Sequence, residues 1–232
     1  MTTTLITGAN KGIGYETARQ LIERGHQVIV GARDITRGET AAKELGARFV
    51  QIDVTDDASV EAAVADIQEH EGGIDVLVNN AGIPGPRVTS MSEVTAPDAE
   101  RVLQTNVLGA IRTIHAFLPM LERSEAPVIV NVSSSMGSFT RSVDPETLEH
   151  ANPLPFYQPS KAALNMLTIK YAEALPSMRI NVADPGPTDT DINDHMGTQT
   201  VAEGAESLVT LATVEADGPT GIFLSREGIV PW

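Results

Sequence analysis

Short runs of aliphatic and β-branched residues alternate with helical stretches along this chain, and that alternation constrains its fold more than any other feature. TTLIT (3–7), HQVIVGA (26–32), ARFVQIDV (47–54), IDVLVNNAG (74–82), APVIVNVSS (126–134), MRINVADPG (178–186) and GIFLS (221–225) read as strands. Several are apolar on both faces, as strands are when a sheet is covered on both sides. Residues 12–24, 35–45, 56–70, 98–122, 156–175 and 200–212 read as helices. The first carries Ile13, Thr17, Leu21 and Ile22 at helical spacing and stops at Gly25. Asp56 is placed to cap 56–70, and Pro119 to kink or end 98–122. The pattern predicts an α/β doubly wound parallel sheet, a Rossmann fold of about seven strands with helices on both faces.

The 232 residues suit one domain, 1–232, with no repeat, low-complexity tract or dividing linker. The irregular stretches 83–97, 135–155 and 185–199 all follow strands at their carboxyl ends. Open α/β sheets bind ligands at that edge, so loops at about 83–97, 138–155 and 187–200 are expected to shape a pocket.

Acidic residues outnumber basic ones 31 to 16, a formal net charge of −15. Such a surface repels nucleic acids and anionic membranes, and an anionic ligand must find Lys or Arg concentrated locally. Without cysteine there is no disulfide framework and no thiolate metal site. His26, His70, His115, His150 and His195 follow no metal-ligand spacing, so no metal is expected. The start, MTTTLITG, has neither a basic segment nor a long apolar core, and no apolar run nears the ~18 residues of a membrane span. These features suggest a cytoplasmic protein.

TGANKGIG (7–14) joins the first strand to the first helix. Gly8 permits a sharp turn, Gly12 lets phosphate oxygens reach the backbone, and Gly14 allows helix to pack on sheet. The helix N-terminus then offers free N–H groups to phosphates, and Lys11 adds a charge. A glycine turn without a ligand is the plainer alternative. At the second strand's end, GARD, Asp34 stands twenty residues past Gly14, where a generic rule puts a ribose-binding acid and NAD. Arg33 is favoured instead: residue 32 is alanine, and a guanidinium with Lys11 suits a 2′-phosphate, hence NADP(H) over NAD(H). Arg33 could also simply pair with Asp34. Asp53 could accept from an adenine amino group or cap the helix that follows. In NNAG (79–82), two asparagines can bridge strands while Ala81 and Gly82 let a flat ligand approach, though an ordinary turn reads the same way.

FYQPSKAAL (156–164) sets Tyr157 four residues before Lys161, on one face of a helix. A phenol ionises near pH 10, and a cation within about 4–6 Å favours its phenolate, so this pair reads as a tuned proton donor. Pro159 is tolerated because it falls in the first turn. VIVNVSSSMG (128–137) leaves three hydroxyls at a strand's carboxyl end, and one could hold a carbonyl oxygen beside the tyrosine. Equally, Ser133, Ser134 and Ser135 could satisfy turn backbone.

Taken together the motifs resemble the short-chain dehydrogenase/reductase family of compact single-domain type, across nearly the whole chain. TGANKGIG is similar to the family's TGxxxGxG turn, NNAG to its structural motif, NVSSSMG to its serine segment, YQPSK to YxxxK, and DPGPTDT (184–190) to PGxxxT. The resemblance implies Tyr157 as acid/base, Lys161 as its partner at the nicotinamide ribose, and Ser134 as the catalytic serine. It implies Asn106, in LQTNVLGA, as the asparagine holding a relay water; a helix-interior residue making local bonds is the alternative. The cofactor set it implies is Gly8, Asn10, Lys11, Gly12, Ile13, Gly14, Arg33, Asp53, Val54, Asn80, Ala81, Gly82, Tyr157, Lys161, Pro185, Gly186, Thr188 and Thr190. GARD and the final EGIVPW resemble the carbonyl-reductase-like, NADPH-dependent branch. That branch implies reversible reduction of a ketone or aldehyde to an alcohol, and the family as a whole implies a homodimer or homotetramer. Two departures stand out: Ser134 and Tyr157 are separated by 22 residues, longer than the common pattern, and Thr188 stands where an apolar residue is frequent. A non-catalytic NADP(H)-binding regulator, a nucleotide-sugar epimerase and a methyltransferase each share part of the pattern. The first would lack the proton-transfer residues, the second would be longer, and the third leaves the tyrosine–lysine pair unexplained.

Overall fold

The computed structural model describes residues 1–88 and 90–232; Thr89, in the loop 83–97, lies outside the described residues. Among the described residues, eight strands form one sheet: β1 (Thr3–Thr7), β2 (Gln27–Ala32), β3 (Arg48–Gln51), β4 (Val76–Asn79), β5 (Val128–Val132), β6 (Arg179–Asp184), β7 (Phe223–Ser225) and β8 (Gly228–Ile229). Their order is β3-β2-β1-β4-β5-β6-β7-β8. All neighbouring pairs are parallel except β7 with β8, where Leu224 faces Ile229. The eighth strand exceeds the sequence expectation because two residues are too few to carry a period.

Alternation along the strands builds a core on each face of the sheet. In β1, Leu5 and Ile6 are both fully buried, yet they join different clusters. Ile6 packs with Val28, Val30, Val78 and Val130 under helices α1 (Gly12–Glu23), α2 (Ile35–Leu45) and α9 (Val201–Ala212). Leu5 packs with Ile29, Leu77 and Ile129 under α3 (Asp57–His70), α5 (Gly109–Leu121) and the end of α8 (Tyr157–Ala174). Each such side chain contributes about 1.5–3 kcal/mol by burial, and none leaves a face free for solvent.

The expected helix over 98–122 divides. Residues Ala96–Leu103 form α4, Gln104–Leu108 a π-helical turn, and α5 continues from Gly109. Pro119 lies inside α5 without ending it. The expected caps at Asp56 and Gly25 are present: Asp56 accepts from the Ala58 amide, and Gly25 takes the left-handed conformation at φ 86°. Residues 135–155 are less irregular than expected. They hold a 3₁₀ turn at Ser135–Gly137 and two short helices, α6 (Phe139–Val143) and α7 (Leu148–Ala151). Trp232 packs on Phe223 with ring centroids 5.3 Å apart, and its carbonyl accepts from the Thr140 amide and hydroxyl. No helix among the described residues is long and apolar enough to cross a membrane.

Candidate active site

The strand order reverses between β1 and β4, and the loops leaving their carboxyl ends diverge there to form a crevice. The glycine turn and NNAG form its floor together. The Asn80 side-chain amide donates to the carbonyls of Thr7 (2.9 Å) and Gly8 (3.1 Å), while the Thr7 hydroxyl accepts from the amides of Asn80 and Ala81. A Cβ at Gly14 would lie 2.4 Å from the Asn80 side-chain nitrogen, so the turn closes only with glycine there. Behind it, Thr113, Asn79, Asn131 and Thr168 form a buried chain of side-chain hydrogen bonds of 2.6–2.9 Å across β4 and β5.

Helix α1 starts with no side-chain cap and no acid in its first turn. Its first N–H groups and positive end are therefore available to an anion. Gly12 has φ 56°, and an added Cβ there would meet only the Thr190 methyl, at 3.7 Å. This glycine-walled opening fits a dinucleotide. Asn10 lies in the same turn, and Ile13 lines the cleft beyond it. Lys11 pairs with Asp191 across the opening.

At the far end Asp34 caps α2, accepting from the Arg37 amide, and lies 3.8 Å from the Arg37 guanidinium. The generic ribose acid is thus occupied, and Arg33 is exposed beside it. Arg37, one turn into α2, adds a second exposed guanidinium that the sequence pattern did not single out. Asp53 does not cap α3; its carboxylate accepts from the Thr55 amide and hydroxyl. Val54 is buried against Gly109.

Tyr157, Lys161 and Ser134 meet in one cleft, which Pro185, Gly186, Thr188 and Thr190 also line. Tyr157 opens α8, and Lys161 follows one turn later with its Nζ 5.4 Å from the Tyr157 ring centroid. The amine is buried and donates to the Val132 carbonyl at 2.7 Å. The three serines separate by environment. Ser133 is buried and donates to the Lys161 carbonyl, Ser134 faces the Tyr157 hydroxyl, and Ser135 turns away toward Asp184 and Glu149. Thr188 is buried, its hydroxyl donating to the Pro185 carbonyl at 3.0 Å, so it braces the loop.

Asn106 lies in the π-helical turn, a distortion frequent at functional sites. Its side chain accepts from the Ile83 amide (2.8 Å) and donates to the Ile83 carbonyl and the Ser160 hydroxyl (2.9 Å each). A Cβ on Gly82 would stand 3.4 Å from Asn106 Oδ1 and 3.6 Å from Lys161 Nζ, so glycine keeps the space between them open.

The electrostatics correct one expectation. Burial, and secondarily the Asp184 charge, push the Tyr157 phenol above its ordinary value, against the opposing Ser134 hydroxyl. The nearby lysine does not reverse this, because burial also pushes Lys161 itself down to about 8. Asp184, last residue of β6, is a buried carboxyl that no sequence motif marked. Of the histidines, His195 is held between Asp189 and Asp191 at 2.6 and 2.9 Å, and no metal-binding group occurs among the described residues. Phe156 belongs to the core, whereas Phe139 is exposed.

The chain is similar to known proteins along its whole length. Residues 2–200 match the family model "short chain dehydrogenase". The (+)-neomenthol dehydrogenase of Capsicum annuum is 33% identical, over 97% of this chain and 96% of its own. Salutaridine reductase of Papaver somniferum is 31% identical, over 94% and 92%. Among solved structures, the NADPH-bound carbonyl reductase from chicken fatty liver superposes with TM-score 0.87 at 30% identity, covering 100% of this chain and 99% of that one. The alignment with the Capsicum protein runs over 300 positions, more than this chain has residues, so the relative carries insertions here absent. Family model, relatives and topology agree: the chain belongs to the short-chain dehydrogenase/reductase family and is a nicotinamide-dependent oxidoreductase.

Proposed function

We propose that this protein reduces a carbonyl group with NADPH, reversibly, through Ser134, Tyr157, Lys161 and Asn106. The observation that carries the reading is the meeting of the Tyr157 and Ser134 hydroxyls and the Lys161 amine in the cleft shared with the glycine turn. A nicotinamide, when bound, supplies or accepts the hydride. The chain's own residues manage the oxygen. Ser134 and Tyr157 hold the carbonyl oxygen, and Tyr157 gives up its proton as negative charge develops there. Because burial raises the phenol, the proton stays on Tyr157 until that charge appears. Lys161, fixed by the Val132 carbonyl, is a cation that can return a proton, and Asn106 borders the open space beside it.

NADP(H) is favoured over NAD(H) because Asp34 is committed to capping α2 while Arg33 and Arg37 face solvent at the adenosine end. An apolar carbonyl substrate is supported by Ile192 on the cleft wall and by exposed Met196, Phe139 and Leu148 on the segments after β6 and β5. A cofactor-binding regulator would have no use for the Ser134–Tyr157–Lys161 grouping.

Fluorescence titration with NADPH and NADH, then nicotinamide absorbance with ketones, aldehydes and quinones, tests the reading. Binding of NADPH with carbonyl-dependent oxidation is expected. Tyr157→Phe should bind NADPH as before and lose most turnover; near-wild-type turnover in that variant would remove Tyr157 from the chemistry.

A further inference from the structure

Thr190 lines the cleft, its methyl 3.7 Å from where a Cβ on Gly12 would lie, and the chain after it folds back so that His195 closes around it. The His195 amide donates to the Thr190 carbonyl at 3.0 Å. Its ring nitrogens meet a carboxylate on either side of Thr190: Nδ1 lies 2.6 Å from Asp189 and Nε2 lies 2.9 Å from Asp191. Ionised carboxylates only accept, and a neutral imidazole carries a single N–H, so both bonds together require the imidazolium. The clamp holds Asp194 (φ 54°) and His195 (φ 60°) in the left-handed region, where residues other than glycine are uncommon. Asp191 is shared, because it also pairs with the Lys11 ammonium at the start of α1. Among the described residues, the charged and titratable groups facing His195 are thus Asp189 and Asp191 on its own segment and, across Asp191, Lys11 of the glycine turn; Asp194 pairs instead with Arg87 of the loop after β4.

We propose that His195 is a positioning residue of the cofactor cleft: as an imidazolium it clamps Asp189 and Asp191 about Thr190, and it keeps Asp191 paired while Lys11 passes to a phosphate of the dinucleotide. Lys11 has one ammonium for two anions, Asp191 and the incoming phosphate. With His195 protonated, Asp191 retains a cation when Lys11 leaves. Once His195 loses its proton, the ring keeps one N–H and can donate to only one of its two carboxylates, so Asp191 competes with the phosphate for Lys11. Cofactor affinity therefore falls as pH rises through the His195 titration. The reciprocal effect follows by linkage: departure of Lys11 leaves Asp191 to His195 alone and raises the pH at which the ring titrates. The charge states agree with this geometry. The bonds to Asp189 and Asp191 hold the ring above the ordinary histidine value, and those from Lys11 and His195 hold Asp191 below the ordinary carboxylate value. The side chains of the clamp are exposed, so each effect is a few-fold one. The cofactor's part in it rests on the function proposed above.

The chain has five histidines, so 13Cε1–1H NMR of the full chain follows each ring, and His195→Gln assigns the signal. In the cofactor-free wild type His195 should titrate above the ordinary 6.5. Lys11→Met, which leaves Asp191 to His195, should raise that midpoint by about 0.5 pH unit at low salt. Saturation with NADPH should raise the wild-type midpoint by a similar amount. The wild-type NADPH Kd, read by fluorescence, should then weaken by about threefold across the His195 titration, a component that His195→Gln should lack. A midpoint that Lys11→Met leaves in place overturns the proposal, as does an NADPH profile that His195→Gln does not flatten; a merely structural histidine would give both of those results. Binding of NADPH without carbonyl-dependent turnover would sink the proposed function alone, because none of these readouts uses turnover. A wild type that binds neither dinucleotide would sink that function and the cofactor's part in the clamp together, and the cofactor-free comparison of Lys11→Met with wild type would still decide whether Lys11 and His195 share Asp191.

Discussion

Gly137→Ala tests how the serine segment is held against the tyrosine helix. An added Cβ at Gly137 would lie 2.7 Å from the Lys161 carbonyl carbon, 2.8 Å from the Ala162 nitrogen and 2.9 Å from Lys161 Cβ. Two of these atoms are helix backbone, and none is the movable end of a side chain. Carbon atoms rest about 3.5–4.0 Å apart, so the turn must retreat from α8 by roughly 0.7 Å or more. Overpacking of this kind costs about 1–3 kcal/mol, which lowers Tm by about 2–4 °C per kcal/mol in a domain of this size. Ser134, whose hydroxyl faces Tyr157, caps the same 3₁₀ turn and would move with it. A displacement near 1 Å at reacting groups can cost about 10²-fold in rate. We expect a Tm several degrees lower, NADPH binding nearly retained, and turnover reduced by one to two orders of magnitude. A variant that melts with the wild type and turns over at its rate would show that this contact does not set the Ser134–Tyr157 geometry.

Two further outcomes follow from charge. Lys161 lies at about 8 in the folded protein against an ordinary 10.5. Between those values the unfolded chain holds a proton that the folded one lacks, so stability rises with pH across that window and is lowest below it. Lys161→Met should remove the rise and be more stable than wild type at pH 7 by on the order of 2–3 kcal/mol; parallel urea-denaturation profiles against pH would contradict this. Arg33→Glu should weaken NADPH binding by about tenfold or more and leave NADH nearly unchanged in calorimetric titration; equal losses for both would mean that Arg33 does not read the 2′-phosphate.

Much of the fold was legible because its signals are local. TTLIT and residues 35–45 match β1 and α2, since the composition that marks each lies within the element itself. The glycine turn was legible because steric need dictates residue type, as the Gly14–Asn80 contact illustrates. The π-helical turn at Asn106 was not, because its cause is tertiary: Asn106 bonds Ile83 and Ser160, 23 and 54 residues away. The acidity of Tyr157 was misjudged for the same reason. The four-residue spacing correctly put Lys161 beside the ring, but the sequence does not reveal that both groups are buried.

Charge placement connects the acidic composition to the site. A chain of net charge −15 that binds a dinucleotide must set cations where the phosphates lie, and it has Lys11 at the glycine turn and exposed Arg33 and Arg37 at the far end of the crevice. It also places acids against some of them. Lys11 pairs with Asp191, and Arg87 with Asp194, so the segment after β6 is tied to the glycine turn and to the loop after β4. The side chains in these pairs are 58–68% exposed, and exposed pairs are worth only about 0–1 kcal/mol each. Contacts that weak align the loops across the cleft without sealing it. An incoming phosphate can compete for Lys11 at little energetic cost, whereas the buried bonds of Asn106 and Lys161, which solvent does not screen, keep the reacting groups in place.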